Sequence, residues 1–332
     1  MNMSVRDVII IGAGPSGLSA AIAAKRRDLD YQVLEQGVLV NSIYHFPPQM
    51  VFFTTPELLE IGGLPFVSPY DKPTRAEALK YYRKVVDTFD LQVSYGEKVL
   101  SVECETGGSG GEHMFAIETQ SAGGVRRARH ARHVVMAIGY YDHPVMIGVP
   151  GEELPHVRHY YGEPHPHYRQ RVVIVGGGNS AAESALEMFR AGANVTIVHR
   201  APALKSTIKY WVRPDIENRI KAGSIAARFG TCVTEIRPAS ILLTGPRGDE
   251  ELPAEAVYLL TGYRADAELL CHAGVLLNER DAPVHDPETF ETNVSGLFVA
   301  GGAIAGVDTG TIFIENGRFH GEKIIEVIAR RF

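Results

Sequence analysis

Gly12, Gly14 and Gly17 stand in the stretch GAGPSG, and a near copy, GGGNSA, occupies 176–181. Glycines at this spacing carry chemistry only where the loop ends a buried strand and opens a helix. Gly12 then makes a tight turn, Gly14 lets the backbone approach a diphosphate, and Gly17 lets the helix pack against the strand. Pro15 and Ser16 complete the loop, and the unpaired N–H groups at the helix start face the phosphates. In the copy, Gly176, Gly178 and Ala181 take the same three positions, with Asn179 and Ser180 between them. Alanine is the common small replacement for the third glycine.

The two copies end differently. The first runs on to Glu35, whose carboxylate can accept hydrogen bonds from both hydroxyls of a ribose. The second runs on to His199 and Arg200, with Lys205 five residues later. A carboxylate would repel a ribose 2′-phosphate, whereas a guanidinium holds one through paired, charge-assisted hydrogen bonds. FAD is therefore expected at the first loop and NADPH at the second. Nicotinamide and flavin are built to exchange hydride, so transfer between them is the expected reaction.

The elements that must hold these residues can be read around them. DVIII at 7–11 is a short apolar run typical of a buried parallel strand. LSAAIAAKRR follows as a helix and YQVLE at 31–35 as a second strand, completing a strand–helix–strand unit. RVVIV at 171–175, a helix through Arg190, Gly192 beyond its end, and NVTIVHR at 194–200 repeat the plan. RHVVMAIGYY at 132–141 and AVYLLTGYR at 256–264 are matching strands that end in glycine turns, bringing Ala137 and Gly139 to the first site and Gly262 to the second. GLFVAGG at 296–302 is a further strand, with Gly301 and Gly302 at its end, and a C-terminal helix is predicted from 311. Its start would aim the Thr311 N–H at the flavin pyrimidine oxygens and stabilise an anionic reduced ring.

Residues 101–130 are predicted as surface hairpins, with Gly-Gly turns between short alternating strands. HVRHYYGEPHPHYRQ at 156–170 reads as a proline-rich connector. Its histidines do not share a helical face, so no metal site is expected. The expected fold is α/β, with two Rossmann-like, thioredoxin reductase-like domains. An NADPH-binding domain at 163–265 is inserted into an FAD-binding domain made of 1–162 and 266–332.

Composition narrows the function further. With 45% apolar residues, a net charge of −6 and no long basic run, the chain reads as globular, and a nucleic-acid partner is not expected. Cys104, Cys232 and Cys271 lie far apart, which excludes a disulfide framework, a CxxC redox pair and a cysteine zinc cluster. Each is expected to be structural, since none has the basic, partly exposed setting of a reactive thiol. Low thiol usage fits a reducing cytosol. The apolar stretch to Ala24 superficially resembles a secretory signal, but cleavage there would remove Gly12, Gly14 and Gly17. No other segment approaches membrane-spanning length, so a cytoplasmic protein is expected.

GAGPSG, Glu35, AIG at 137–139, GGGNSA, His199-Arg200 and GLFVAGG together resemble the thioredoxin reductase-like flavoproteins. NSIYHFPPQMVFFTTPELLEIGGLPF at 41–66, HYYGEPHPHY at 159–168, IKYWVRPDIENRI at 208–220 and TIFIENGRFHG at 311–321 resemble the bacillithiol disulfide reductase (YpdA-type) family more specifically. The resemblance spans essentially the whole chain. It implies NADPH, FAD and a low-molecular-weight disulfide as acceptor, with a homodimer. It also implies that Asn41, Ser42 and the FFTT stretch lie beside the flavin, and Arg200 and Lys205 at the 2′-phosphate. Gln36, Val99 and Ile312 complete the expected flavin set.

Three departures qualify that implication. The CxxC of thioredoxin reductases is absent, so no internal dithiol can relay electrons. Many family members carry a cysteine in the first glycine loop, in a GGGPCG pattern, where this chain has Ser16. Gly302 replaces an aspartate that contacts the flavin side chain in thioredoxin reductases, leaving backbone contacts at Gly301 and Gly302. No residue is an obvious acid or base; Tyr44 and His45 are the candidates for protonating a departing thiolate. Open alternatives are a ferredoxin- or flavodoxin-NADP reductase, a redox sensor, and a flavin monooxygenase. The last would want F-x-G-x-x-x-H, whereas His165 and His167 fall one residue short and one long after Gly162.

Overall fold

The apolar runs form parallel strands because both of their faces are covered. In the computed structural model, which describes residues 5–107 and 112–332, Val5–Ile11 pairs in parallel with Tyr31–Glu35 on one side and with Arg126–Met136 on the other. Its side chains alternate between two cores. Val8 and Ile10 face the layer that holds Leu18, Ile22, Ile324 and Ile328, while Ile9 and Ile11 face Phe115, Ile117, Leu269 and Leu270. A strand buried on both faces has no polar alternation, which is why DVIII reads as continuous.

The chain divides into two units, residues 1–143 with 263–332, and residues 144–262. The first carries a seven-stranded sheet in the order Val93–Tyr95, Tyr31–Glu35, Val5–Ile11, Arg126–Met136, Glu112–Ser121, Glu97–Gly107, with Leu297–Val299 also pairing to Arg126–Met136. Arg126–Met136 has two roles along its length. Its charged first half runs antiparallel to Glu112–Ser121, and its apolar second half lies parallel between Val5–Ile11 and Leu297–Val299. The expected hairpins are thus present, but their strands are long, 10 and 11 residues. The glycine turn expected at 108–111 lies outside the described residues.

The second unit holds a parallel sheet in the order Ala226–Phe229, Asn194–His199, Arg171–Val175, Ala256–Leu259, Val157–Arg158, and a separate antiparallel three-stranded sheet over 232–253. It begins at Pro144, earlier than the boundary expected at 163. The reason is local: Val157 and Arg158 are an edge strand on Ala256–Leu259, so the proline-rich stretch belongs to this unit and does not merely connect to it. It ends at Gly262, with Tyr263, Arg264 and Ala265 returned to the first unit. The ends of the unit meet, since the Val145 N–H donates to the Gly262 carbonyl at 2.9 Å and the Thr261 hydroxyl to the Val145 carbonyl at 2.6 Å.

The C-terminal helix also differs from expectation. It starts at Ile314 as a four-residue piece, breaks at Arg318–Phe319, and resumes as His320–Ala329. Close approach explains the tight packing here: a side chain on Gly321 would lie 2.4 Å from the Ala20 nitrogen and 2.5 Å from the Ser16 carbonyl oxygen.

Candidate dinucleotide sites

The first glycine loop divides its glycines by job. Gly12 has φ +105°, and a Cβ there would lie 2.4 Å from the Ala137 carbonyl oxygen; on Gly17 it would lie 2.0 Å from the Gly12 carbonyl oxygen. Both positions are closed by protein. Gly14 has nothing within 4 Å of its missing Cβ, so it alone faces open space. The helix Pro15–Lys25 starts there with no side-chain cap, leaving its first N–H groups for a ligand. Glu35 is 5% exposed and is gripped from two sides, by the Ala13 N–H on Oε2 and the Gly37 N–H on Oε1, each at 2.8 Å. Burial lifts its carboxyl above the ordinary range against the pull of those N–H groups, and the Asp142 carboxylate adds to the lift.

Asp142 is a residue the sequence did not single out. It accepts from the Gln36 amide at 3.0 Å and the Asn41 amide at 3.3 Å, joining two of the expected flavin residues through one carboxylate. Gly139 has φ +64°, with the Ser42 hydroxyl 4.0 Å from its missing Cβ, so these two expected neighbours are together. Ala137 is buried beside Gly12, and Val99 is buried in the apolar core with Ile9, Ile11 and Leu34. Gly302 is explained by Tyr140: a Cβ at 302 would lie 2.7 Å from that ring, so the aspartate of thioredoxin reductases has no room here. The Gly301 N–H is already engaged by Nδ1 of His320 at 3.1 Å, which leaves the backbone contact expected of this pair to Gly302. The Thr311 N–H donates to the Asp308 carbonyl at 3.2 Å, and Thr311 precedes the helix it was expected to start. Ile312 packs near Gly317.

The second loop repeats the division. Gly176, at φ +150°, would place a Cβ 2.4 Å from the Leu260 carbonyl oxygen, and Ala181 is buried against it. Gly178 meets only the Lys205 stem, at 3.8 Å, and Gly262 meets nothing within 4 Å. Gly177, also missed from the sequence, is forced by His199, whose ring would lie 2.4 Å from a Cβ there. The Asn179 side chain is taken up by the following loop. Its amide donates to the Thr207 carbonyl at 3.2 Å and accepts from the Lys209 N–H at 2.9 Å, fastening the following loop to the helix start. Ser180 is exposed.

His199 is 7% exposed, and its Nε2 has no hydrogen-bond partner among the described residues. Burial, then the Lys205 and Arg200 charges, hold its pKa below the ordinary value. Arg200 and Lys205 are both exposed, and no hydrogen bond or ion pair is formed by either side chain among the described residues, only the Lys205 carbonyl accepting from Arg213. Two cations without a counter-anion beside an open glycine loop are the donor set for a phosphorylated ribose. The residues therefore fit both groups: an uncharged diol with a diphosphate at the first loop, and an extra phosphate at the second.

A family model for pyridine nucleotide-disulphide oxidoreductases matches residues 9–301. Bacilliredoxin reductase Bdr of Bacillus subtilis is 41% identical over 333 residues, covering 99% of each chain. The bacillithiol disulfide reductase Bdr (YpdA) structure from Bacillus cereus is 38% identical with a TM-score of 0.95, covering 99% of this chain and 100% of that one. Its Staphylococcus aureus counterpart is 37% identical with a TM-score of 0.91, covering 99% of both. The chain belongs to the bacillithiol disulfide reductase (YpdA) family of pyridine nucleotide-disulphide oxidoreductases. It is an oxidoreductase that works with FAD and a pyridine nucleotide.

Against that family, Ser16 takes on a definite role. Its hydroxyl donates to the Gly317 carbonyl at 3.0 Å, and a Cβ on Gly301 would lie 2.4 Å from the Ser16 hydroxyl oxygen. The side chain of this reductase at position 16 thus faces the C-terminal segment. The cysteines, expected to be structural and without the partly exposed setting of a reactive thiol, are all exposed: Cys104 and Cys232 fall on outward strand positions and Cys271 on the outer side of a short helix. Tyr44 and His45 end a helical turn fixed by Arg75, whose Nε donates to the Ile43 carbonyl at 3.0 Å. His45 Nδ1 lies 2.9 Å from the Asn41 carbonyl. A carbonyl can only accept, so Nδ1 carries a proton and Nε2 is the atom left to give or take one.

Proposed function

We propose that this reductase takes a hydride from NADPH at the second loop, passes it to FAD at the first, and delivers two electrons to a low-molecular-weight disulfide. The observation that carries the reading is the contrast between the two loops: buried Glu35 at one, and at the other exposed Arg200 and Lys205, whose side chains have no partner among the described residues. The acceptor is supported by the family, whose members from B. cereus and S. aureus are named for bacillithiol disulfide. In balance, NADPH, a proton and one disulfide give NADP⁺ and two thiols, the S–S bond being the one that breaks.

The chain's own residues supply recognition and protons. Arg200 and Lys205 hold the 2′-phosphate through charge-assisted bonds, with the His199 Nε2, which has no partner among the described residues, beside them. Glu35 binds the ribose diol of the flavin nucleotide, and the Gly14 opening admits its diphosphate. Bound flavin supplies the two-electron relay between nicotinamide and acceptor. The released thiolate needs a proton, for which Nε2 of His45 and the Tyr44 hydroxyl are the candidates. With no CxxC and with Ser16 in the first loop turned toward Gly317, the route uses neither an internal dithiol nor a thiol at position 16.

Anaerobic titration tests this. The purified protein is reduced with NADPH and, separately, NADH, and flavin reoxidation is followed with bacillithiol disulfide, a ferredoxin and oxygen. Preferred reduction by NADPH and rapid reoxidation by the disulfide are expected. Reoxidation by ferredoxin alone would replace the disulfide with a protein acceptor.

A further inference from the structure

We propose that His320 is a positioning residue for the flavin, setting the backbone at Gly301–Gly302 by accepting the Gly301 N–H. The inference rests on FAD occupying the first loop.

The strand Leu297–Val299 ends in a ladder bond from the Ala300 N–H to the Met136 carbonyl at 3.0 Å. The next amide, that of Gly301, leaves the sheet and finds His320 Nδ1 at 3.1 Å. Gly301 has nowhere else to go. At φ +64° a side chain on it would strike Ser16, and a Cβ on Gly317 would lie 3.2 Å from its Cα. With the peptide before it tied to the sheet and its own N–H tied to the imidazole, the direction in which the chain leaves toward Gly302 is fixed. That is the glycine whose backbone contact the flavin site expects.

The chemistry of the acceptor suits the place. His320 is 8% exposed and stacked on Phe290 at 4.3 Å, so its ring cannot swing away. Accepting at Nδ1 requires the neutral ring protonated at Nε2. Burial, with the charges of His285 and Lys323, keeps that form dominant by lowering the pKa to about 4. An acidic residue would accept the same N–H but would set a negative charge close to a diphosphate. A neutral imidazole orders the turn without that repulsion.

Two substitutions separate positioning from packing. His320→Phe keeps a ring on Phe290 and removes the acceptor; His320→Asn keeps an acceptor on the equivalent side-chain atom and removes the stack. Apo-protein of the wild type and both variants is titrated with FAD by fluorescence, and thermal unfolding of each apo form is read in parallel. Positioning predicts that His320→Phe weakens FAD binding about tenfold or more, with apo stability changed less than FAD affinity. His320→Asn is then the better flavin binder and the less stable apo-protein. The reverse order, Phe binding FAD like wild type and Asn losing it with stability, would overturn the inference and leave a packing role. If His320→Phe does not fold, the ¹⁵N resonances of His320 in the wild type decide. An unprotonated Nδ1 that shifts when FAD binds supports positioning, and one unmoved by FAD overturns it. Wild-type protein that takes up no FAD would overturn the cofactor reading together with this one.

Discussion

Ala13 donates its backbone N–H to the carboxylate of Glu35 at 2.8 Å, across a gap of 22 residues in the chain. The bond joins the loop meant for a diphosphate to the acid meant for a ribose, so the two halves of the first site are held in register before any ligand arrives. Glu35→Gln places an amide NH₂ against one of two N–H donors. Apo-protein carrying it is expected to bind FAD about 10- to 100-fold more weakly, the effect of losing a charged hydrogen bond, as read by fluorescence titration. Equal affinity would remove Glu35 from the site.

Gly14 and Gly17 give opposite outcomes on substitution by alanine. Gly17→Ala forces a methyl group to 2.0 Å from the Gly12 carbonyl oxygen, and overpacking of this kind costs about 1–3 kcal/mol. Gly14→Ala meets no atom within 4 Å, so apo stability should hardly change while FAD affinity falls. Melting curves with and without FAD distinguish the two.

Arg200→Ala and Lys205→Ala act on one nucleotide only. Each is expected to lower kcat/KM for NADPH about 10- to 100-fold through loss of charge-assisted bonds, with kcat/KM for NADH nearly unchanged. An equal loss with both nucleotides would mean that the cations serve the loop and not the 2′-phosphate.

Ser16→Ala removes the bond to the Gly317 carbonyl and should reduce stability by about 1 kcal/mol. Disulfide-dependent reoxidation, counted per bound flavin, should persist. Its disappearance with NADPH reduction intact would give the hydroxyl a chemical part that the proposed route does not contain.

His320 gives stability a pH signature. Its folded pKa, lowered to about 4 by burial and by His285 and Lys323, lies below that of the unfolded chain, near 6.5. Between those values the unfolded state binds the proton first, so stability is lost as pH falls from about 6.5 to about 4 and levels off below. The His320→Asn variant should lack this contribution. Denaturant unfolding of both proteins between pH 7 and 4 measures the difference, and parallel curves would contradict it.

Both glycine loops and the strands ending at Glu35, His199, Met136 and Leu259 were legible because buried parallel strands and diphosphate turns leave local patterns. Residues that act across the chain left none. Asp142, which joins Gln36 and Asn41, and His320, which takes the Gly301 N–H, are ordinary polar residues in sequence. Gly177 read as part of a glycine run, although it is the His199 ring that requires it. The helix expected from 311 was placed early because an apolar pattern cannot reveal the break at Arg318–Phe319, where Gly317 and Gly321 press on the first helix. The unit boundary was misplaced for a similar reason: a two-residue strand, Val157–Arg158, is too short to signal itself.

The inserted unit ties its own ends together, Val145 to Gly262, and all of its residues are translated before residues 263–332 of its host. Gly301, Gly317 and His320, which clasp the first glycine loop, are translated only afterwards. The glycine loop made first is thus the one whose neighbours are supplied last, after the unit that carries the second loop has been translated in full.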